Sequence, residues 1–169
     1  MNSVLEAWNK APEADALEAM IACCGARRWA SGMVAFRPIK TVLELSEAAD
    51  RIWASMLEAD WMEAFACHPR IGERKAAHAS AKSASWSQQE QSQTSSAAEQ
   101  VMNKIATGNV LYEQRFGFTY IVCATGKSAE EMLAILEQRL SSNREDELKE
   151  AAEQQRQILQ IRLGKWLIA

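Results

Sequence analysis

The chain is poor in the residues that usually mark chemistry or interrupt helices. Its 169 residues include 2 histidines, 3 prolines and 7 glycines. None of its 4 cysteines (Cys23, Cys24, Cys67 and Cys123) forms a C-x-x-C pair, which argues against a zinc knuckle or a thioredoxin-type motif. Free thiols in a reducing cytoplasm are the expectation. No apolar run approaches the roughly 18 residues that a membrane span requires. The net charge of −3 lacks the basic excess of a nucleic-acid or membrane-surface binder. The first residues, MNSVLEAWNK, lack the layout of a secretory signal, and the last, GKWLIA, carry no peroxisomal tripeptide. A cytoplasmic location is the resulting expectation.

What is plentiful is Ala, Glu, Gln, Leu and Met, all good helix formers. The length suits one compact all-α domain, residues 1–169, with a sizeable core. Apolar spacing predicts helices over Ala14–Cys24, stopped by Gly25, and over Thr41–Ala59. A short helix from Trp61 to Cys67 is closed by Pro69. Ser128 and Glu131 have capping-box spacing and open a helix to Leu140. Asn143 caps a long last helix to Leu167, with acids in its first turn. Two stretches differ. Residues 80–100 are rich in Ser, Gln and Ala and read as a polar loop. Residues 116–124, FGFTYIVCA, are β-branched and aromatic; without a partner strand they read as a buried extended crossing.

Three places could carry chemistry. His68 precedes Pro69, so its helix should end there, with the imidazole at the negative end of the helix dipole. The dipole favours the cation and neighbouring Arg70 opposes it, which suits a proton carrier near neutral pH. The ordinary alternative is a half-buried histidine packed on Phe65. A Cys67–His68 dyad is disfavoured, because sequence neighbours on a helix point about 100° apart. A metal site from Cys67, His68 and His78 matches no usual ligand spacing, so no metal is expected.

The second place is WSQQEQ, where Ser87 and Glu90 have S-x-x-E spacing. A helix cap explains both residues, and a helix start also presents free N–H groups to a polar ligand. The same spacing recurs at Ser96 to Gln100. The third is Arg162. On the last helix it lies within about 40° of the stripe formed by Leu148, Ala152, Leu159 and Trp166. A guanidinium there must snorkel outward, pair with an acid or face a pocket.

Taken together, these segments resemble the 2-oxo-4-hydroxy-4-carboxy-5-ureidoimidazoline (OHCU) decarboxylases of uric acid breakdown. The resemblance rests on CCGARRW, then RPI at Arg37–Ile39, DWMEAFACHPRIGE at Asp60–Glu73, and WSQQEQ. YEQRFGFTYIVCATG at Tyr112–Gly126, RLSSNREDEL at Arg139–Leu148 and IRLGKW follow in family order. Thr119 stands where the family pattern has proline. The resemblance implies an all-helical homodimer that needs no metal or organic cofactor. It implies His68 as the catalytic acid/base, with Glu90 and Arg162 beside it in catalysis. Pro69, Ser87, Glu90, Gln91, Arg162 and the backbone of Val122, Cys123, Ala124, Thr125 and Gly126 would surround the substrate. The reaction implied is decarboxylation of OHCU to (S)-allantoin. A non-enzymatic helical binding domain and a helical hydrolase using His68 with a water are the rival readings.

Overall fold

A computed structural model describes residues 2–71, 86 and 99–169. Among these residues there are eight α-helices and no strand: α1 (Ser3–Lys10), α2 (Glu13–Cys24), α3 (Arg27–Ala35), α4 (Val42–Ala54), α5 (Glu58–Ala66), α6 (Glu99–Phe116), α7 (Ala129–Arg139) and α8 (Arg144–Trp166). The all-α expectation holds. By internal packing the chain forms two compact units, Met1–Ala64 with Arg156–Ala169, and Phe65–Gln155. No helix among the described residues is long and apolar enough to cross a membrane.

In the first unit, local caps set the helix starts. The Asn2 side chain accepts from the Leu5 N–H, and Thr41 Oγ1 accepts from the Glu44 N–H. Gly25 ends α2 at φ 87°, a left-handed backbone that suits glycine. Arg37 and Ile39, from the RPI stretch, tie the chain back to α1. Arg37 Nη1 donates to the carbonyls of Trp8 at 2.8 Å and Ala11 at 2.9 Å, and Asn9 pairs with both backbone groups of Ile39. Buried Trp29 sends its indole N–H to the Ala49 carbonyl at 3.1 Å. The end of α8 closes this unit, with Trp166 edge-on to Trp8 at 5.8 Å and Arg156 donating to Asp50 at 3.1 Å.

The two helices expected over Thr41–Ala59 and Trp61–Cys67 are present, but the break between them falls earlier, at residues 55–57. α4 ends at Ala54, where Ser55 Oγ donates back to the Ile52 carbonyl at 2.7 Å. The Asp60 carboxylate then accepts from the Leu57 N–H at 2.9 Å, and α5 starts at Glu58 rather than Trp61. Hydroxyl and carboxylate thus do what glycine or proline usually does. α1, α3 and α6 were not anticipated individually from the spacing.

The second unit packs α6 and α7 around an aromatic cluster. A Cβ on Gly108 would stand 2.5 Å from Leu136 Cδ2, so any larger residue there would force the buried Leu136 side chain to shift. Phe65, Tyr112, Phe116, Phe118 and Tyr120 pack at centroid distances of 4.7 to 6.3 Å. Such ring pairs contribute about 0.5–1.5 kcal/mol each beyond their buried area. Ser128 and Glu131 form the capping box at the start of α7, and Asn143 Oδ1 accepts from the Asp146 N–H at 2.9 Å. The extended crossing is present but shorter than expected. Phe116 is still helical, Gly117 turns the chain at φ 82°, and 118–124 runs without a ladder partner among the described residues.

Candidate functional site

The sequence-predicted site residues fall into three groups. His68, Pro69, Val122, Cys123, Ala124, Thr125 and Gly126 belong to the unit Phe65–Gln155. Arg162 belongs to the other unit, on α8. Ser87, Glu90 and Gln91 lie outside the described residues, as does His78. Trp86, directly before Ser87, is described and buried.

His68 stands two residues beyond the end of α5, and its N–H donates to the Phe65 carbonyl at 3.0 Å. The last turn thus continues as far as Pro69 allows. The imidazole is half-buried, with its Nε2 atom fully shielded, and Pro69 is buried. The chain is braced on both sides of this pair. Before it, Phe65 packs on Phe118 at 5.4 Å. After it, Arg70 makes a two-point ion pair with Glu113 of α6, at 2.8 Å from Nε and 2.5 Å from Nη2. A bidentate fork fixes orientation as well as distance. The imidazole therefore sits at a helix end whose backbone is tied to both α6 and the extended segment.

Side chains hold the extended segment where a sheet is absent. Arg139 Nη1 donates to the Ile121 carbonyl at 2.6 Å, and Gln154 Oε1 accepts from the Cys123 N–H at 2.9 Å. Lys127 Nζ donates to the Cys123 carbonyl at 2.8 Å. Gly126 turns the chain at φ 80° before α7. Among the described residues, the N–H groups of Val122, Ala124 and Gly126 donate no hydrogen bond.

Behind the segment lies a buried polar network that the sequence reading did not single out. Arg139 and Glu147 are ion-paired, with Arg139 Nε donating to Glu147 Oε1 at 2.5 Å, and the Tyr112 hydroxyl donates to the same carboxylate oxygen. The guanidinium also faces the rings of Tyr112 and Tyr120, at 5.7 and 4.9 Å. Burial works against the charge on Arg139, but the Glu147 bond and the surrounding groups outweigh it and hold its pKa above the ordinary value. Burial pushes both tyrosine hydroxyls well above their ordinary value, with the nearby Arg139 charge opposing that rise. Arg139 and Glu147 were visible only as members of the RLSSNREDEL stretch.

Arg162 is 0% exposed, on a stripe with buried Leu148, Ala152, Leu159 and Trp166. Its expected angular place is thus confirmed, and the snorkelling alternative is excluded by its burial. A fully buried cation is held by partners of suitable chemistry.

The OHCU decarboxylase family model matches residues 9–164 and runs through both units. The chain belongs to the OHCU decarboxylase family. It is 35% identical over 147 residues, 85% of its length, to the uric acid degradation bifunctional protein TTL of Arabidopsis thaliana, and covers 44% of that protein. It is 37% identical over 62 residues, 37% of its length, to the 2-oxo-4-hydroxy-4-carboxy-5-ureidoimidazoline decarboxylase of Amia calva, covering 34% of that protein. The chain therefore spans less than half the length of these curated relatives. Among solved structures, an OHCU decarboxylase crystallised in the presence of (S)-allantoin matches with a TM-score of 0.76 at 31% identity, over 88% of this chain and 96% of that one. An (S)-allantoin synthase matches with a TM-score of 0.71 at 17% identity, over 96% of this chain and 53% of that one, a likeness of fold alone.

Proposed function

We propose that this chain is a cofactor-independent carboxy-lyase that converts OHCU to (S)-allantoin in uric acid degradation. The observation that carries this reading is the family match over residues 9–164. The likeness, across nearly all of both chains, to an OHCU decarboxylase crystallised with (S)-allantoin supports it.

The chemistry asks for little beyond positioning and proton handling. The OHCU carbon that bears the carboxylate and hydroxyl adjoins a ring C=N bond. As CO2 leaves, its bonding electrons move into that C=N system, whose nitrogen takes a proton. The resulting enol gives up its hydroxyl proton to become a carbonyl, and the neighbouring carbon takes a proton to become the stereocentre of allantoin. The substrate thus supplies its own electron sink. The protein must orient it and deliver protons to one face. His68 is the acid/base in this reading, a role typically worth about 10²–10⁴-fold. Its shielded Nε2, at a braced helix end, is compatible with that work. Glu90 anchors ureido N–H groups, and Ser87, Gln91 and Pro69 line the substrate. Arg162 offers its fork to an acceptor oxygen. The backbone of Val122, Cys123, Ala124, Thr125 and Gly126 completes the set, and the N–H groups of Val122, Ala124 and Gly126, which donate to none of the described residues, suit a substrate rich in carbonyls. A homodimer in the cytoplasm, acting on a small molecule and not on nucleic acid or membrane, completes the proposal.

The test is turnover of freshly generated OHCU, followed by ultraviolet absorbance and by circular dichroism of the product. Enzyme-dependent loss of OHCU with a growing allantoin dichroic signal is expected. A rate equal to the uncatalysed one would overturn the reading.

A further inference from the structure

We propose that Arg139 and Gln154 are positioning residues that set the register of the substrate-facing backbone at Val122–Gly126. The inference rests on the proposed function, which makes that backbone part of the substrate site, and deepens it. A segment in a sheet has its peptide groups aligned by neighbouring strands. The segment 118–124 has no such neighbour among the described residues, so its register must come from elsewhere. Two side chains from two helices grip it two residues apart. Arg139, at the end of α7, holds the Ile121 carbonyl, and Gln154 of α8 holds the Cys123 N–H.

Both grips are themselves oriented. Arg139 is buried, and its Nε and Nη2 are committed to Glu147, which leaves Nη1 aimed at Ile121. A planar fork can span two acceptors in this way, whereas a lysine ammonium cannot reproduce that fixed geometry. The Gln154 amide has its nitrogen on the Glu150 carboxylate at 2.9 Å. A carboxylate only accepts, so the amide oxygen is the atom turned toward Cys123. The peptide groups around Val122 lie between these fixed points. Loss of either grip frees them to rotate, and a substrate that binds to them loses affinity before it loses its proton donor.

The experiment is steady-state OHCU decarboxylation by the full chain, comparing Gln154→Leu, the swapped double variant Gln154→Glu with Glu150→Gln, and Arg139→Lys. KM is the deciding readout, because it does not depend on the fraction of enzyme that is folded. Gln154→Leu removes the acceptor at similar volume, and the swap returns an acceptor to Cys123 and a donor to position 150. KM is expected to rise about three- to tenfold in Gln154→Leu, the size of one lost hydrogen bond, with kcat changing less. The swap should bring KM back to within about twofold of the wild type. Arg139→Lys should raise KM by about as much as Gln154→Leu does. A KM within twofold of the wild type in Gln154→Leu or Arg139→Lys overturns that residue's role, as does failure of the swap to restore Gln154→Leu. If the wild-type chain itself shows no turnover, the proposed function fails and takes the positioning roles with it; an active wild type with unmoved variants overturns positioning alone.

Discussion

Arg139 and Glu147 meet as a buried ion pair between α7 and α8, and the Tyr112 hydroxyl bonds the same carboxylate oxygen. The pair closes the back of the extended segment, since the same guanidinium reaches the Ile121 carbonyl. Removing one partner of a buried pair is costly because the other charge stays desolvated. Glu147→Leu is expected to lose about 3–5 kcal/mol of stability, while Glu147→Leu with Arg139→Leu should lose less than the sum of the two single changes. Denaturant midpoints of the three variants check this. Additive losses would show that the two side chains do not stabilise each other.

The two tyrosines give a pH signature. Tyr112 and Tyr120 are the only tyrosines in the chain, and both are buried. Burial raises both pKa values, with Arg139 opposing, so the folded phenols keep their protons where an unfolded chain loses them. This contribution to stability is fully present below the unfolded value of about 10 and declines as pH rises above it. The decline is roughly 1.4 kcal/mol per pH unit for each phenol. Absorbance at the tyrosinate band should therefore stay flat past pH 10 and rise only with unfolding. A smooth titration near pH 10 in the folded protein would contradict the burial of these hydroxyls.

How much of this was legible in the sequence depends on how local each interaction is. Ser128 with Glu131, and Asn143 with the first turn of α8, are contacts three residues apart, and spacing was enough to find them. Arg162 was placed by its angle on one helix. The break at Ser55–Leu57 was not legible, because no glycine or proline marks it and Ser55 and Asp60 cap the chain from within an apolar pattern. The Tyr112–Arg139–Glu147 network was not legible either. Tyr112 and Arg139 are 27 residues apart, and nothing in either helix alone says which acid will meet the guanidinium.

Two glycines in helices should respond in opposite ways to alanine. At Gly108 the added methyl meets Leu136 Cδ2 at 2.5 Å and Cγ at 3.2 Å, and Leu136 is itself buried. The overpacking cost of about 1–3 kcal/mol exceeds the helix-propensity gain of about 1 kcal/mol, so Gly108→Ala should destabilise. At Gly164 of α8 an added methyl would meet no atom of the described residues within 4 Å, and Gly164→Ala should stabilise by roughly 0.5–1 kcal/mol. Thermal midpoints moving in the same direction for both would refute the close approach of α6 to α7.

The two S-x-x-E-Q stretches compete for one role. Glu99 opens α6 and is exposed, the ordinary situation of an acid at a helix start. Glu90 lies in the stretch that follows buried Trp86 and is nearer His68 in sequence. Glu90→Gln should therefore lower kcat/KM for OHCU by at least tenfold, the scale of a lost charge-assisted bond, while Glu99→Gln should change it less than twofold. Because S-x-x-E spacing predicts a helix cap at Ser87, worth about 1 kcal/mol, variants in this stretch should be compared at equal folded fraction. The reverse order of effects would move the substrate anchor to the second stretch.

In the proposed reaction, His68 would join proton delivery to product handedness. Its N–H is bonded to the Phe65 carbonyl, and the flanking Phe65–Phe118 and Arg70–Glu113 contacts fix the backbone on either side of it. A donor fixed in this way reaches one face of a held intermediate. His68→Asn keeps polarity and approximate size but cannot carry the proton, so it should fold normally and lose about 10²–10⁴-fold in kcat. The wild-type product should be (S)-allantoin, and the rate should survive exhaustive chelation, because the substrate's C=N bond takes up the electrons. Circular dichroism of product formed with and without chelator, corrected for uncatalysed turnover, measures both at once. Racemic product formed at an enzyme-dependent rate would place protonation after release into water and remove His68 from that step. Activity lost on chelation and restored by a metal ion would replace the substrate-borne electron sink with a Lewis acid. A folded His68→Asn protein with wild-type kcat would leave the imidazole a packing role beside Phe65.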